Sequence, residues 1–216
     1  MENVSYFNSD VQDMFTQERT LTYIEETAKG LQTLSIDSRH LTDRNIFLTG
    51  AITDQTAVNF AKIMLYLSQS DEPICIYINS QGGETQAGLM IYDLIQGCQC
   101  KINMYCIGQA ASMAAIILAS GQKGRRFILP HSRVMIHEVF IQGQLQGSAA
   151  SVARISQSLA ETRETIHTIL AKHTGKSLEE ISRASCFDNY MNAEEAVRFG
   201  ICDKIVETIS GGAYHA

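Results

Sequence analysis

Residues 108–113, Gly-Gln-Ala-Ala-Ser-Met, join an apolar run at 102–107 to a second apolar run at 113–119. The first run predicts a buried strand and the second a helix, which places Ser112 at the helix N-terminus. Backbone N–H groups and the positive end of the helix dipole favour negative charge at this point. Serine is also a preferred helix cap, and most serines in this position do nothing more. A catalytic role for Ser112 therefore depends on what lies near it.

A histidine ends the short apolar strand predicted over 133–137, where the chain reads Val-Met-Ile-His at 134–137. A histidine near Ser112 could accept the hydroxyl proton, and a carboxylate behind the histidine would complete a catalytic triad. A histidine in such a strand is nevertheless more often a buried residue with satisfied hydrogen bonds. The two segments together form a hypothesis of nucleophilic catalysis, which neither establishes alone.

The whole chain alternates between apolar strand-like and helix-like segments, which predicts one α/β domain with a mostly parallel sheet. Before this domain we expect a polar N-terminal extension, helical over 18–32, that serves as an arm, a plug or a docking surface. Strands are predicted at 45–50, 74–78, 102–107, 126–129, 133–137 and 201–209, and helices at 54–68, 85–97, 113–120, 151–173, 178–183 and 192–199.

Composition and charge exclude several classes of protein. The 216 residues carry a net charge of −6 with a pI near 5.5, which argues against nucleic acid or an anionic membrane as the main partner. No run reaches the ~20 apolar residues of a transmembrane helix. The first ten residues lack the basic start and apolar core of a secretory signal, so we expect a cytoplasmic protein.

The six cysteines fit a reducing compartment, because a chain of this size with cytosolic features rarely depends on disulfides. Cys98 and Cys100 form a Cys-x-Cys pair that could begin a metal site. No second Cys/His cluster at finger or ribbon spacing accompanies the pair, so we expect no metal. Cys186 has no neighbouring histidine to activate it, and all six cysteines are interpreted as structural or incidental.

A second candidate element is the pair Gly82-Gly83, which follows a buried strand in Asn-Ser-Gln-Gly-Gly-Glu-Thr at 79–85. In open α/β sheets, ligands bind at the carboxyl ends of the strands. Consecutive glycines let backbone N–H groups approach a substrate, as an oxyanion hole or anion-binding nest requires. A tight strand-to-helix turn would also explain the pair, and the glycine spacing matches no nucleotide-binding loop.

Several motifs in register resemble the proteolytic subunit of the ATP-dependent Clp protease family, ClpP. The similarity covers about residues 36–208, in order and at nearly the family's spacing. Motifs that occur together in this way are far more specific than any one of them. They are Ile-Asn-Ser-Gln-Gly-Gly at 78–83, Gln-Ala-Gly-Leu-Met-Ile-Tyr-Asp at 86–93, the segments 108–113 and 134–137, Asp-Asn-Tyr-Met-Asn-Ala-Glu-Glu-Ala at 188–196 and Phe-Gly-Ile-Cys-Asp at 199–203.

The resemblance implies a Ser-His-Asp triad. Ser112 matches the nucleophile, His137 the general base, and Asp188 the carboxylate that orients the histidine. On its own, Asp188 would be interpreted as a surface turn residue. The three residues fall at the family's positions together, and this coincidence favours the catalytic interpretation of each.

The resemblance also implies how a substrate is held. The backbone N–H groups of Gly83 and Met113 match the oxyanion hole. Gly82, Gln142 and Gly143 fall at substrate-binding positions. No cofactor is implied for this chain, since nothing in it matches a nucleotide site and ATP would be used by a partner.

The fold implied by the resemblance is a ClpP/crotonase-like spiral of β-β-α units. A peptidase domain would span residues 36–216 and follow an N-terminal extension over 1–35. A handle, made of a strand over 142–148 and the helix over 151–173, would protrude from the domain. In the family, two heptameric rings stack through the handle and enclose a chamber, into which an AAA+ Clp-type unfoldase delivers unfolded polypeptides.

The chain departs from the family pattern at three places. Gln81 replaces a proline, which would loosen the turn before the glycine pair. Glu138-Val-Phe-Ile follows the histidine where members carry Gln-Pro and a glycine pair. Residues 184–187, Ala-Ser-Cys-Phe, replace an acidic and arginine run that in the family couples ring docking to triad alignment.

Three functions remain open from the sequence. The first is an active Clp-type serine endopeptidase that works in a homo-oligomeric chamber. The second is a non-catalytic or conditional subunit that assembles with a paralogue, as the altered run at 184–187 suggests. The third is another member of the wider fold, such as a head-maturation or membrane-linked peptidase or an acyl-CoA crotonase. In a crotonase, Ser112, His137 and Asp188 would have no joint purpose.

Overall fold

The computed structural model describes residues 21–27, 30–140 and 147–209, and the chain divides into two compact units, residues 1–43 and 44–216. The first unit contains an antiparallel hairpin of strands β1 (Thr22–Thr27) and β2 (Gly30–Ser35), followed by helix α1 (Ile36–Thr42). The helix predicted over 18–32 is therefore wrong where the structure describes it. Threonine, tyrosine and isoleucine in the first strand favour an extended chain.

The second unit contains a sheet with seven strands in the described residues. Strands β3, β4, β5, β6 and β9 lie side by side in that order and are parallel. Strand β7 pairs in parallel with β5, and β8 pairs antiparallel with β7. The strands are β3 (Asn45–Ile52), β4 (Ile74–Gly83), β5 (Ile102–Ala111), β6 (Arg126–Ile128), β7 (Arg133–Ile136), β8 (Asn189–Met191) and β9 (Lys204–Ile205).

Helices connect these strands and confirm the predicted α/β class with a mostly parallel sheet. The last strand is shorter than the predicted 201–209, because the N–H groups of Ile201 and Cys202 bond to Ala196 O and close the preceding helix. The handle strand predicted over 142–148 lies mostly outside the described residues. The helices are α2 (Asp54–Leu67), α3 (Thr85–Gly97), α4 (Met113–Ala119), α5 (Ala149–Thr174), α6 (Leu178–Ser185) and α7 (Ala193–Phe199).

The core lies against the isoleucine-rich strand β4 and helix α4, all of whose residues are buried. Four aromatic residues lie directly opposite one another on the neighbouring strands β3, β4, β5 and β6. Adjacent ring centroids are 5.0–5.2 Å apart and the rings are stacked. Such pairs stabilise neighbouring strands and oppose a shift of register. The rings belong to Phe47, Tyr77, Tyr105 and Phe127.

A buried arginine ties strand β6 of the sheet to the ends of three helices. Arg126 in β6 is 3% exposed and makes a bidentate ion pair with Asp203, with Nη2–Oδ1 2.6 Å and Nε–Oδ2 2.9 Å. Its Nη1 donates to the carbonyls of Ala119, His173 and Gly200, at the C-terminal ends of α4, α5 and α7. A cation at a helix C-terminus satisfies carbonyls that have no partner within the helix.

Replacing this arginine by an apolar residue of similar length should destabilise the domain strongly. In Arg126→Met, the half-buried carboxylate of Asp203 loses its ion-pair partner and three carbonyls lose a donor, so we expect a loss of about 3–5 kcal/mol in the free energy of unfolding. Urea denaturation at pH 7 measures it. Arg198→Met, at an exposed arginine of α7, is the matched control and should cost less than about 0.5 kcal/mol. Equal losses in both variants would contradict the role assigned to Arg126.

The same pair should make stability depend on pH. Burial opposes ionisation of Asp203, but hydrogen bonds from Arg126 and from backbone N–H groups outweigh it and lower the pKa below the ordinary 3.8. A lowered carboxyl pKa adds stability above its unfolded-state value, and this contribution is lost as the pH falls through the folded-state value. The difference in the free energy of unfolding between wild type and Arg126→Met should therefore decrease as the pH falls through the folded-state pKa of Asp203. A difference that stays constant with pH would contradict a stabilising ion pair between Arg126 and Asp203.

Candidate active site

Ser112 lies between the end of β5 and the start of α4 in a backbone conformation that side chains rarely adopt. Its φ is +54° and its ψ −126°, and its hydroxyl makes no capping bond to α4. The ordinary cap interpretation therefore does not describe what this serine does. Strained residues of this kind persist where the surrounding structure determines them, and they cluster at active sites.

Arg44 is another non-glycine residue with positive φ, and its hydrogen bonds give a purely structural reason for this conformation. Arg44 has a φ of +60°, and its guanidinium donates to the carbonyls of Leu67, Glu72 and Pro73. Those bonds offset the strain at Arg44. The hydroxyl of Ser112 has only one hydrogen-bond partner in the described residues, which is the side chain considered next.

His137 reaches Ser112 because β5 and β7 run in parallel to the same edge of the sheet. Ala111 lies opposite Met135, and the Ser112 N–H donates to Met135 O at 2.8 Å. His137 follows the end of β7, with its Nε2 2.8 Å from Ser112 Oγ. Both side chains are half-buried. This distance lies within the range required of a general base and the proton it removes.

Asp188 lies beside the histidine in the strand register but does not contact it. Strand β8 is antiparallel to β7, with Ile136 opposite Asn189, and continuing this register brings Asp188 opposite His137. The side chain of Asp188 is exposed. Across the part of the chain that the structure describes, Asp188 makes no hydrogen bond or ion pair with His137. The structure thus joins Ser112 and His137 by a hydrogen bond, and the role of Asp188 stays a prediction.

The glycine pair lies against the start of α4, where a larger residue would not fit. A Cβ on Gly82, whose φ is +88°, would lie 2.7 Å from Ser112 Cβ and 3.0 Å from Met113 N. Gly83 packs equally closely on the backbone of Ile52 in β3. The N–H of Met113 is the first in its helix and has no acceptor within it. Gly82 and the Met113 N–H therefore lie near the nucleophile, and the assignment of the Gly83 and Met113 N–H groups as an oxyanion hole stays a prediction.

Two side chains hold the glycine pair in place: that of Ser80, to which sequence reasoning assigns no role, and that of Gln81, which is expected to loosen the turn. Ser80 is fully buried, and its Oγ donates to Gly50 O at 2.6 Å and accepts from the Gly82 N–H at 3.0 Å. With its amide oriented by the hydrogen-bond network, Gln81 bonds to Gly50 O and Ala51 N at 3.3 and 3.2 Å. These side chains tie the turn to β3 in a chain that lacks the proline. The hydrogen bonds of Gln81 oppose the loosening expected from the missing proline, and no local pattern in the sequence predicts them.

Three further expectations concern residues away from Ser112. The predicted substrate-binding residues Gln142 and Gly143 lie outside the described residues. Within 21–27, 30–140 and 147–209, no group of three or more His, Cys, Asp or Glu side chains could hold a metal ion. Cys100 instead donates to Ser70 O at 3.0 Å. No helix in these same ranges is both long and apolar enough to cross a membrane.

The domain is thus an α/β fold with a mostly parallel sheet, and its candidate site is a hydrogen-bonded serine–histidine pair at the carboxyl edge of that sheet. Residues 27–209 match the family described as Clp protease. Because this match covers well over half of the chain, the chain belongs to the Clp protease family. The resemblance drawn from the sequence motifs is thereby confirmed, and the observed architecture agrees with the ClpP/crotonase fold. Members of this family are typically serine peptidases.

The close packing of Gly82 on Ser112 gives a testable difference between two glycines. An alanine with φ near +85° is strained by about 1–2 kcal/mol wherever it stands. Gly124 has a φ of +85°, and a Cβ at this position would meet nothing within 4 Å, so Gly124→Ala should show this strain alone. Gly82→Ala should lower the free energy of unfolding by a further ~1–3 kcal/mol, because the added methyl group clashes with Ser112 and Met113. Equilibrium urea denaturation compares the two, and equal losses would refute the packing described.

Proposed function

We propose that this protein is a Clp-type serine endopeptidase that cleaves unfolded polypeptides. The observation that carries the proposal is the 2.8 Å hydrogen bond between His137 Nε2 and the strained Ser112 hydroxyl, at the carboxyl edge of a parallel sheet. A chain of the Clp protease family with this pair has both the nucleophile and the base that acyl transfer requires.

The proposed reaction follows from this geometry. Ser112 Oγ attacks the peptide carbonyl carbon while its proton passes to His137 Nε2. The N–H groups of Gly83 and Met113 stabilise the negative oxygen that forms. His137 then gives the proton to the leaving nitrogen, the C–N bond breaks, and an acyl-enzyme remains on Ser112. Water activated by His137 releases the second product, and Asp188 orients the imidazole and stabilises its charged form.

We also propose that the chain works as an oligomer, in stacked heptameric rings of itself or mixed with a paralogue. Helix α5 supports this, because its buried residues all lie at 166–170, near its C-terminal end. Val152 and Ile155 in its first half are 37% and 36% exposed. A helix that leaves apolar side chains partly exposed in its first half is suited to an interface. In such a chamber a partner AAA+ unfoldase would use ATP, and this chain would need no cofactor.

A reducing, cytoplasmic location suits this proposal. All six cysteines are free thiols, and four of them are buried. Burial raises the pKa of the Cys106 thiol to about 11, which keeps it protonated and unreactive at neutral pH. The buried cysteines behave as small apolar residues of the core and take no part in the proposed chemistry.

One observation favours a second candidate, a conditional subunit that becomes active only beside a paralogue. Asp188 is exposed to solvent and leaves His137 without its carboxylate partner. The residues before it, 184–187, carry no charge, and Phe187 is 82% exposed. An exposed phenylalanine next to the predicted acid suits a contact with another subunit that turns Asp188 inward.

A fluorophosphonate that labels activated serines separates the two candidates. If Ser112 and His137 act together in the isolated protein, intact-mass spectrometry should find one adduct per chain, because the base makes the hydroxyl nucleophilic. Ser112→Ala should abolish the adduct, and Ser158→Ala, at an exposed serine of α5, should retain it. Absence of any adduct in the isolated protein, with labelling restored by a paralogue, would favour the conditional subunit.

The role of Asp188 is tested by Asp188→Asn. Loss of the carboxylate should lower kcat for a short fluorogenic peptide by about 10²–10⁴-fold with little change in KM, because the base loses its orientation and the stabilisation of its charged form. Asp71→Asn, at an exposed aspartate before β4, is the control and should behave as wild type. Wild-type turnover by Asp188→Asn would remove Asp188 from the proposed triad.

A further inference from the structure

One face of helix α5 contacts the segments that follow the proposed base and precede the proposed acid. Arg163 and His167 are four residues apart, so their side chains project from the same face, one turn apart. Arg163 Nε lies 3.7 Å from an oxygen of Glu138, the residue after His137. His167 Nε2 lies 3.0 Å from Ser185 Oγ, three residues before Asp188.

The contact between His167 and Ser185 is buried, and a neighbouring carbonyl favours His167 as its donor. The two residues are 6% and 1% exposed. Ser185 Oγ donates its one proton to Ile181 O at 2.9 Å, so it accepts from the His167 Nε2–H. Burial lowers the pKa of His167, with Glu138 opposing and Arg163 reinforcing the shift, so the ring is a neutral donor at pH 7.

This hydrogen bond fixes the end of α6, from which the Asp188 segment departs. Ser185 is the last residue of α6, and only residues 186–188 separate it from β8. Asn189 Nδ2 donates to Ala184 O at 3.0 Å and closes the same short segment. Ser185 is held by α5 and Asn189 is held in β8, so both ends of the short segment that carries Asp188 are fixed.

We propose that His167 is a positioning residue for Asp188, acting through its hydrogen bond to Ser185. The proposal rests on the peptidase function proposed above and deepens it. The ion pair of Arg163 and Glu138 is half-exposed and longer, so it contributes less to holding the base. Helix α5 thereby helps to position Asp188 relative to His137.

A double-mutant cycle with Asp188→Asn tests the proposal on purified oligomer with a short fluorogenic peptide. His167→Leu should lower kcat about tenfold or more in the wild-type background and less than about twofold in the Asp188→Asn background, since coupled residues are not additive. KM should change little. A loss of the same size in both backgrounds would mean that His167 acts only through general stability and would overturn the proposal.

Two further variants guard against a folding defect. Ser185→Ala removes the acceptor with a smaller change in volume and should reproduce the coupling with Asp188→Asn. His167→Gln retains a donor and should restore at least part of kcat, whereas His167→Leu should not. Failure of both expectations, with urea midpoints near wild type, would overturn the positioning role.

Labelling of Ser112 by the fluorophosphonate tests the proposed peptidase function separately from the positioning role of His167. A wild-type protein that labels and turns over, but shows no coupling between His167 and Asp188, would overturn only the positioning role. A wild-type protein that neither labels nor turns over, alone or with a paralogue, would overturn both proposals.

Discussion

The buried ion pair of Arg126 and Asp203 is the constraint on which the rest of the domain depends. A guanidinium without a partner would be prohibitively unfavourable at 3% exposure, so β6 can take its place only when the chain near Asp203 is also present. The same group binds the carboxyl ends of α4 and α5. These are the helix that begins at Ser112 and the helix that carries His167, and the pair thus holds both in one frame.

The site itself depends on a division in β5. Its first half pairs with β6 and its second half pairs with β7. The end of β5 thus lies between β4 and β7, and His137 directly follows β7. Serine and histidine then meet at the carboxyl edge, which is where parallel sheets place their ligands. Each side chain is thereby carried by a hydrogen-bonded strand end and not by a free loop.

Apolar runs in the sequence predict the parallel sheet and most helices, because these elements are buried and their patterns are strong. Strands β1 and β2 pair where the sequence pattern predicts a helix over 18–32, since polar residues obscure the preference of Thr22 and Ile24 for strands. The closeness of Ser112 and His137 depends on pairing between distant strands, which no local pattern contains, and only the family resemblance implies it. That resemblance does not show that Asp188 faces solvent, because side-chain orientation depends on packing around 184–187.

The backbone conformation of Ser112 determines which residue type stability alone would favour at this position. With φ at +54°, every residue except glycine is strained there, and stability alone would favour glycine. The chain carries a serine whose hydroxyl neither caps its helix nor bonds to the backbone around it. Stability alone does not explain a serine at this position, which is what the proposed role of its hydroxyl as a nucleophile would require.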